Sequence, residues 1–241
     1  FAQCASTNGA FLHGTDPRSA LGVSEEERES FFEKLYGSPG FAFWLGNFRD
    51  CATDPEANEL VSRFVRKKIT ERIKDPEMAK KLVPFDHGFG TRRVPMESGY
   101  YEVYNQKNVQ LIDLMKTPFR RINRAGIETT SANFEFDIII YATGFDAIVG
   151  SFSSMDIRGR KEIKLKDRWA NGPVTYLGLQ SPGFPYLFTL VGPHNASTFC
   201  NIPRCIEQNV EWVSELLSYM LMKGYESVEA TQGAADAWMA H

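Results

Sequence analysis

The chain has 241 residues, 43% hydrophobic and 24% charged, which are globular proportions with room for one large domain or two modest ones. A net charge of −3 gives no electrostatic reason for a nucleic acid or an anionic membrane as partner, and no apolar run approaches the roughly 20 residues that span a bilayer. Cys4, Cys51, Cys200 and Cys205 form no Cys-x-x-Cys pair, and the histidines do not join them at ligand spacing. This argues against a structural metal or a disulfide framework and predicts reduced, intracellular thiols. With no signal pattern at the N-terminus, a cytoplasmic location is expected.

Residues 1–20 are small, polar and turn-forming, and predict an irregular segment. Ser24-Glu-Glu-Glu27 reads as a capping box with acidic residues at the favourable end of the helix dipole. Phe31, Phe32 and Leu35 follow at helical spacing until Gly37-Ser-Pro-Gly40 stops the helix. The aromatic stretch Phe41 to Phe48 packs as core or lines a hydrophobic cleft, core packing being the simpler reading. Asp54-Pro55 opens a second helix, whose Leu60, Val61, Phe64, Ile69 and Ile73 form one face. Its Arg63, Arg66, Lys67, Arg72 and Lys74 read as a solvated face. Asp75-Pro76 starts a short helix that Pro84 closes, so residues 21–85 predict a helical subdomain.

From Phe85 to Pro95 glycines, aromatics and paired arginines replace the helical pattern. A turn or short helix is expected around Tyr100–Tyr104. Strands are predicted over 108–113 and 118–122, with a hairpin near Gly126 and a further strand at Phe134–Asp137. The apolar run Ile138-Ile-Ile-Tyr141 then reads as a strand buried on both faces, ending at Ala142-Thr-Gly144. Beyond it, Thr175–Leu179 and Tyr186–Val191 are strand-like. A loop follows, then Asn201 as N-cap, with Pro203 in the first turn. Ile206, Val210, Val213, Leu217 and Leu221 trace an amphipathic helix that Gly224 ends, and a last helix is expected within Glu229–Met239.

Two stretches have chemical potential. The strand, Gly-containing loop and helix start from Tyr186 to Asn201 could present helix amides to an anion or a carbonyl oxygen, or be an ordinary capped helix. Phe89-Gly-Thr-Arg-Arg93 could fork two guanidinium groups onto a phosphate or an oxyanion, or carry two solvent-facing arginines. No triad-like spacing supports nucleophilic hydrolysis.

The ordered set Asp75-Pro-Glu, Phe89-Gly-Thr-Arg-Arg, Gly99-Tyr-Tyr-Glu, Tyr104-Asn-Gln-Lys-Asn-Val, Ala142-Thr-Gly-Phe-Asp-Ala, Trp169-Ala-Asn-Gly-Pro, Gly183-Phe-Pro-Tyr-Leu-Phe and Ile206-Glu-Gln-Asn-Val-Glu-Trp212 resembles the FAD- and NADPH-dependent Baeyer–Villiger monooxygenases, similar to those acting on cyclohexanone and phenylacetone. The resemblance implies an α/β fold: parts of two Rossmann-like dinucleotide-binding domains of a two-dinucleotide-binding flavoprotein, with an inserted helical subdomain. Residues 86–138 would be the second part of the NADP domain and 139–241 the second part of the FAD domain. It implies FAD and NADP(H) as cofactors, and a small ketone and O2 as substrates. A C4a-peroxyflavin would insert oxygen beside the carbonyl to give an ester or lactone.

By the same resemblance Arg93 stabilises the peroxide anion and Arg92 contacts the NADP 2′-phosphate. Thr143 and Gly144 mark the crossing between the nucleotide domains, and Asn201 and Ile202 meet the flavin ring. His194, Asn195, Ala196, Ser197, Thr198, Phe199 and Cys200 line the substrate. No Gly-x-Gly-x-x-Gly follows a strand in this sequence, although the family carries two. The expectation is therefore a C-terminal portion of a longer enzyme, partnered by its N-terminal part. N- or S-oxygenation, or an inactive portion lacking the fingerprints, is the alternative.

Overall fold

The computed structural model describes residues 7, 10–195 and 200–241. They divide into two units: residues 12–142, and residues 143–241 with the described part of the first eleven.

The first unit is built on its helices. Helix α1, Glu25–Tyr36, starts where Ser24 Oγ accepts from the Glu27 amide at 3.2 Å. Only that half of the expected capping box forms, because the Glu27 carboxylate pairs with Arg18 at 2.6 Å. A single turn α2, Ala42–Leu45, precedes helix α3, Pro55–Arg72. Asp54 caps α3 and Asp75 caps α4, Pro76–Leu82, each with proline in the first turn, as the two Asp-Pro pairs predict. Phe32, Phe48, Val61 and Phe64 are buried together, and the Phe32 ring meets those of Phe48 and Phe64 at 5.9 and 5.4 Å. Each such side chain contributes about 1.5–3 kcal/mol of burial. Ile69, Ile73, Ala79 and Val83 form a second cluster, which sets α4 against the end of α3.

A three-stranded antiparallel sheet follows: β1 Phe119–Ile122, β2 Gly126–Thr129 and β3 Asn133–Glu135, in that order. The first turn closes as the sequence predicts, with Asn123 Oδ1 accepting from the amides of Ala125 and Gly126 at 2.9 and 3.0 Å. Gly126 is required there, since a Cβ would lie 1.9 Å from the Phe134 carbonyl oxygen.

Four predicted strands do not form. Residues 108–113 and 186–191 have no regular structure, and Thr175–Leu179 is a turn closed by the Tyr176–Gln180 bridge. The run at 138–141 is also unpaired, leaving Ile138 79% and Ile140 85% exposed. The reason is common to all four: a strand exists only where another strand accepts its ladder bonds. Among the described residues these segments make only isolated backbone bonds, such as the Tyr186 amide to the Val228 carbonyl and the Thr189 amide to that of Leu179, and no ladder.

In the second unit, short helices α5, Gly150–Ser154, and α6, Leu165–Arg168, pack around Leu165, Trp169 and Phe184. Trp169 Nε1 donates to Ser181 Oγ at 3.2 Å. Helix α7, Ile202–Lys223, ends on Gly224 at φ 66°, a left-handed conformation that glycine adopts without cost to a Cβ. Helix α8, Gln232–Met239, is capped by Thr231. Along α7, Ile206, Val210, Leu217 and Leu221 are exposed.

Candidate functional site

The paired arginines sit on a loop tied down by α3. Asn58 Nδ2 donates to the carbonyls of Cys51 and Phe89, both at 2.8 Å, and its Oδ1 accepts from Ser62 Oγ at 3.1 Å. Ser62 Oγ in turn accepts from the Phe89 amide at 2.8 Å. The loop is pressed so close that a Cβ at Gly88 would lie 2.0 Å from Asn58 Oδ1. Gly90, at φ 76°, packs its backbone against the Trp44 indole.

Arg93 leaves this anchored loop with its guanidinium carbon 5.6 Å from the Phe41 ring centre and 5.8 Å from that of Trp44. The aromatic stretch therefore divides: Phe48 is core, while Phe41 and Trp44 support a cation. Arg92 is 70% exposed, 3.7 Å from Asp86. Asp86 also takes a 2.7 Å bond with His87 Nδ1, and this bond first, with Arg92 adding, holds its carboxyl below the usual aspartate value.

Arg92 and Arg93 face a groove of roughly 1360 Å3, whose wall includes Phe41, Trp44, Arg66 and Tyr100. Far from a simple solvated face, α3 contributes two arginines to it. Arg66 donates to Glu59 at 2.9 Å and to the Pro84 carbonyl at 3.0 Å. Arg72 forks onto Glu102 at 2.5 Å and Glu97 at 2.6 Å, with its guanidinium 4.9 Å from the Tyr101 ring centre. Bonding to Glu102 and then Glu97 raises the Arg72 pKa, and Arg72 lowers both carboxyls.

In the second unit the loop before α7 is pinned from two sides. His194 Nδ1 lies 2.9 Å from the buried Thr175 Oγ1, and Asn195 Nδ2 donates to the Leu177 carbonyl at 3.0 Å. From α7, Asn209 Oδ1 accepts the Val191 amide at 2.9 Å, while its Nδ2 donates to Asn195 Oδ1 at 3.4 Å. Val191 and His194 hold positive φ of 51° and 63°, conformations that cost a non-glycine residue energy and persist only where the surroundings fix them. Asn201 takes the N-cap position, but its side chain makes no capping bond; its Nδ2 donates instead to the Ala10 carbonyl at 3.2 Å. Ile202 begins the helix beside it.

Thr143 and Gly144 are exposed, and a Cβ at Gly144 would meet nothing within 4 Å. Ala196, Ser197, Thr198 and Phe199 lie outside the described residues. Cys200 and Cys205 are joined as a disulfide, which corrects the expectation of four reduced thiols. Spacing rules for metal sites do not register a pair that meets across a helix start. Among the described residues no cluster could hold a metal ion.

As tethers, Asn58, Ser62, Thr175 and Asn209 are not legible in the sequence, although Thr175 opens a strand-like stretch and Asn209 lies within the motif Ile206–Trp212. Each is a polar residue buried or nearly so beside a loop, recognisable only once its partner carbonyl or amide is known.

No family model matches the chain. Similar curated proteins include a 2-oxo-Δ3-4,5,5-trimethylcyclopentenylacetyl-CoA monooxygenase of Pseudomonas putida, 51% identical over 97% of this chain and 43% of that protein. A cyclopentanone 1,2-monooxygenase of Comamonas is 39% identical over 92% of the chain and 40% of the relative. A phenazine N-monooxygenase of Lysobacter antibioticus is 40% identical over 92% and 41%. Among solved structures, OTEMO in complex with FAD and NADP superposes with a TM-score of 0.95 at 50% identity, covering 98% of this chain and 44% of that one. The chain thus spans less than half the length of the relatives it matches, and it carries part of a two-dinucleotide-binding flavoprotein fold.

Proposed function

We propose that this chain, a stretch of the Baeyer–Villiger monooxygenase family, forms part of an enzyme that inserts one oxygen atom of O2 beside a ketone carbonyl to give an ester or lactone. The supporting observation is Arg93, a permanently charged group seated on Phe41 and Trp44 beside a large groove, in a chain half identical to a flavin- and NADP-binding monooxygenase. FAD reduced by NADPH would supply the oxygen-activating chemistry when bound.

The chain's own residues fit part of that requirement. A guanidinium is a permanent cation, and the one on Arg93 can hold negative charge at the reacting centre, its aromatic seat fixing where the charge acts. Arg92, largely in solvent with one weak acidic neighbour, has a fork suited to the 2′-phosphate of NADP(H). Asn201 and Ile202 begin a 22-residue helix whose positive end suits an electron-rich flavin edge. The stretch from His194 to Cys200, whose His194 and Asn195 are held in place by Thr175, Leu177 and Asn209, would shape the ketone cleft. Thr143 and Gly144 would mark the crossing between nucleotide domains. The glycines that cradle each pyrophosphate are not in this chain, so the N-terminal part of the enzyme must supply them. An NADPH-consuming reaction of this kind suits the cytoplasm.

The test is product analysis with the enzyme that contains this stretch, given NADPH and a cyclic ketone. Ester formation that Arg93→Ala abolishes supports the reading; undiminished ester formation in that variant overturns the role of Arg93. N-oxygenation is the second reading, favoured by the phenazine N-monooxygenase among the relatives. An N-oxide from a heteroaromatic amine, without ester from any ketone, would select it.

A further inference from the structure

Of the four cysteines, two sit at the start of α7. Cys200 directly precedes the N-cap and Cys205 lies in the first turn and a half, five positions on, and the fold brings their sulfurs into a bond. Both are partly exposed, so reagents in solution reach them. The positive end of a 22-residue helix acts on both sulfurs, and the Arg204 guanidinium adjoins them in sequence while pairing with Glu207. Cys51 is the opposite case. It is buried, reduced, and its thiol is pushed up to about 12, chiefly by burial.

We propose that Cys200 and Cys205 form a reversible redox-modification site, oxidised by a peroxide to the disulfide that fastens the start of α7 to the chain entering it. One thiolate attacks a peroxide oxygen and breaks the O–O bond; the hydroxide released takes a proton and leaves as water. The second thiolate then displaces hydroxide from the resulting sulfenic acid, forming the S–S bond and a second water. Two thiols and one hydrogen peroxide thus give one disulfide and two waters, with two electrons passing from sulfur to oxygen. This site goes beyond the oxygenation reading and does not depend on it.

The test uses the full 241-residue chain, reduced and then exposed to one equivalent of hydrogen peroxide. Thiols are blocked with iodoacetamide, and tryptic peptides are mapped without reductant. Trypsin cuts between the two cysteines at Arg204, so the disulfide appears as two peptides joined, two hydrogens lighter than the free pair. The expected result is that joined species, reopened by glutathione, with Cys51 alkylated only after denaturation. In Cys205→Ser the oxidation should stop at a sulfenic acid on Cys200 that dimedone traps. Free alkylation of Cys200 and Cys205 after peroxide, a cross-link through Cys51, or a bond that glutathione leaves closed would each overturn the proposal. The mapping of the unsubstituted chain decides it even if the variant does not fold.

Discussion

At the residue scale the arginine loop is held by two side chains the reactive group never touches. Asn58 bonds two carbonyls and Ser62 bonds the Phe89 amide, so Arg93 inherits its position from α3. Asn58→Ala leaves the Cys51 and Phe89 carbonyls without their donor, at a cost of about 1–3 kcal/mol. Its expected signature in the complete enzyme is a loss of turnover with Arg93 still present, measured alongside the melting temperature; turnover unchanged from the parent would show that the loop needs no such tether. Gly88→Ala acts on the same contact by collision, since its Cβ would fall 2.0 Å from Asn58 Oδ1. The direct substitution, Arg93→Ala, should lower ester formation by about 100-fold or more, the scale of removing one group that stabilises developing negative charge. Arginine at 92 and 93 was legible in the sequence as a motif. The seat under Arg93 was not, because Phe41 and Trp44 lie some fifty positions upstream and only the fold joins them.

At the element scale, what could be read in advance was whatever is local. Ser24, Asp54 and Asp75 are caps whose bonds close within three residues, and the helices they begin stand where the spacing puts them. Ser24→Ala should therefore destabilise the chain by about 1 kcal/mol, read by chemical denaturation. The strands failed for the complementary reason: Asn108–Asp113 and Tyr186–Val191 have strand composition, but among the described residues no strand forms a ladder with them. Between these extremes stands the link from α3 to the 3-10 turn Glu102–Asn105, made by Arg72 with Glu97 and Glu102. Arg72 lowers both carboxyls below the glutamate value of 4.5, so the folded state binds their protons less readily than the unfolded chain. That stabilisation is complete above the unfolded value and is lost as pH falls through the lower, folded values. The melting temperature should drop on acidification below about pH 4.5, and Arg72→Met should flatten this part of the curve. An identical pH profile in the variant would mean the fork contributes nothing to stability.

At the scale of the whole molecule the chain presents an apolar run, Ile138 to Tyr141, that has the composition of a strand and no strand partner among the described residues. Ile138, Ile140, Tyr141 and Phe145 are all exposed, Phe145 almost fully, and the backbone between them makes no ladder bonds. Unpaired strand edges of this composition are templates for pairing with other chains. The chain spans 43% of its Pseudomonas relative, and the rest of that relative is long enough to occupy such an edge. Taken alone, the 241 residues should instead associate with one another through it, giving a mass by light scattering that rises with concentration. Paired substitution of Ile138→Lys and Ile140→Lys should suppress that rise, because two like charges on an edge oppose pairing while leaving both buried clusters of the first unit untouched. A chain that stays monomeric at every concentration would show that the run is satisfied in some other way. Flavin uptake supplies the second half of the same argument. With the pyrophosphate-cradling glycines outside this sequence, the isolated chain should stay colourless after addition and removal of FAD, and acquire a flavin spectrum only when the N-terminal part is supplied. A yellow protein from these residues alone would place the binding energy in α7 and its loop rather than in the dinucleotide fingerprint.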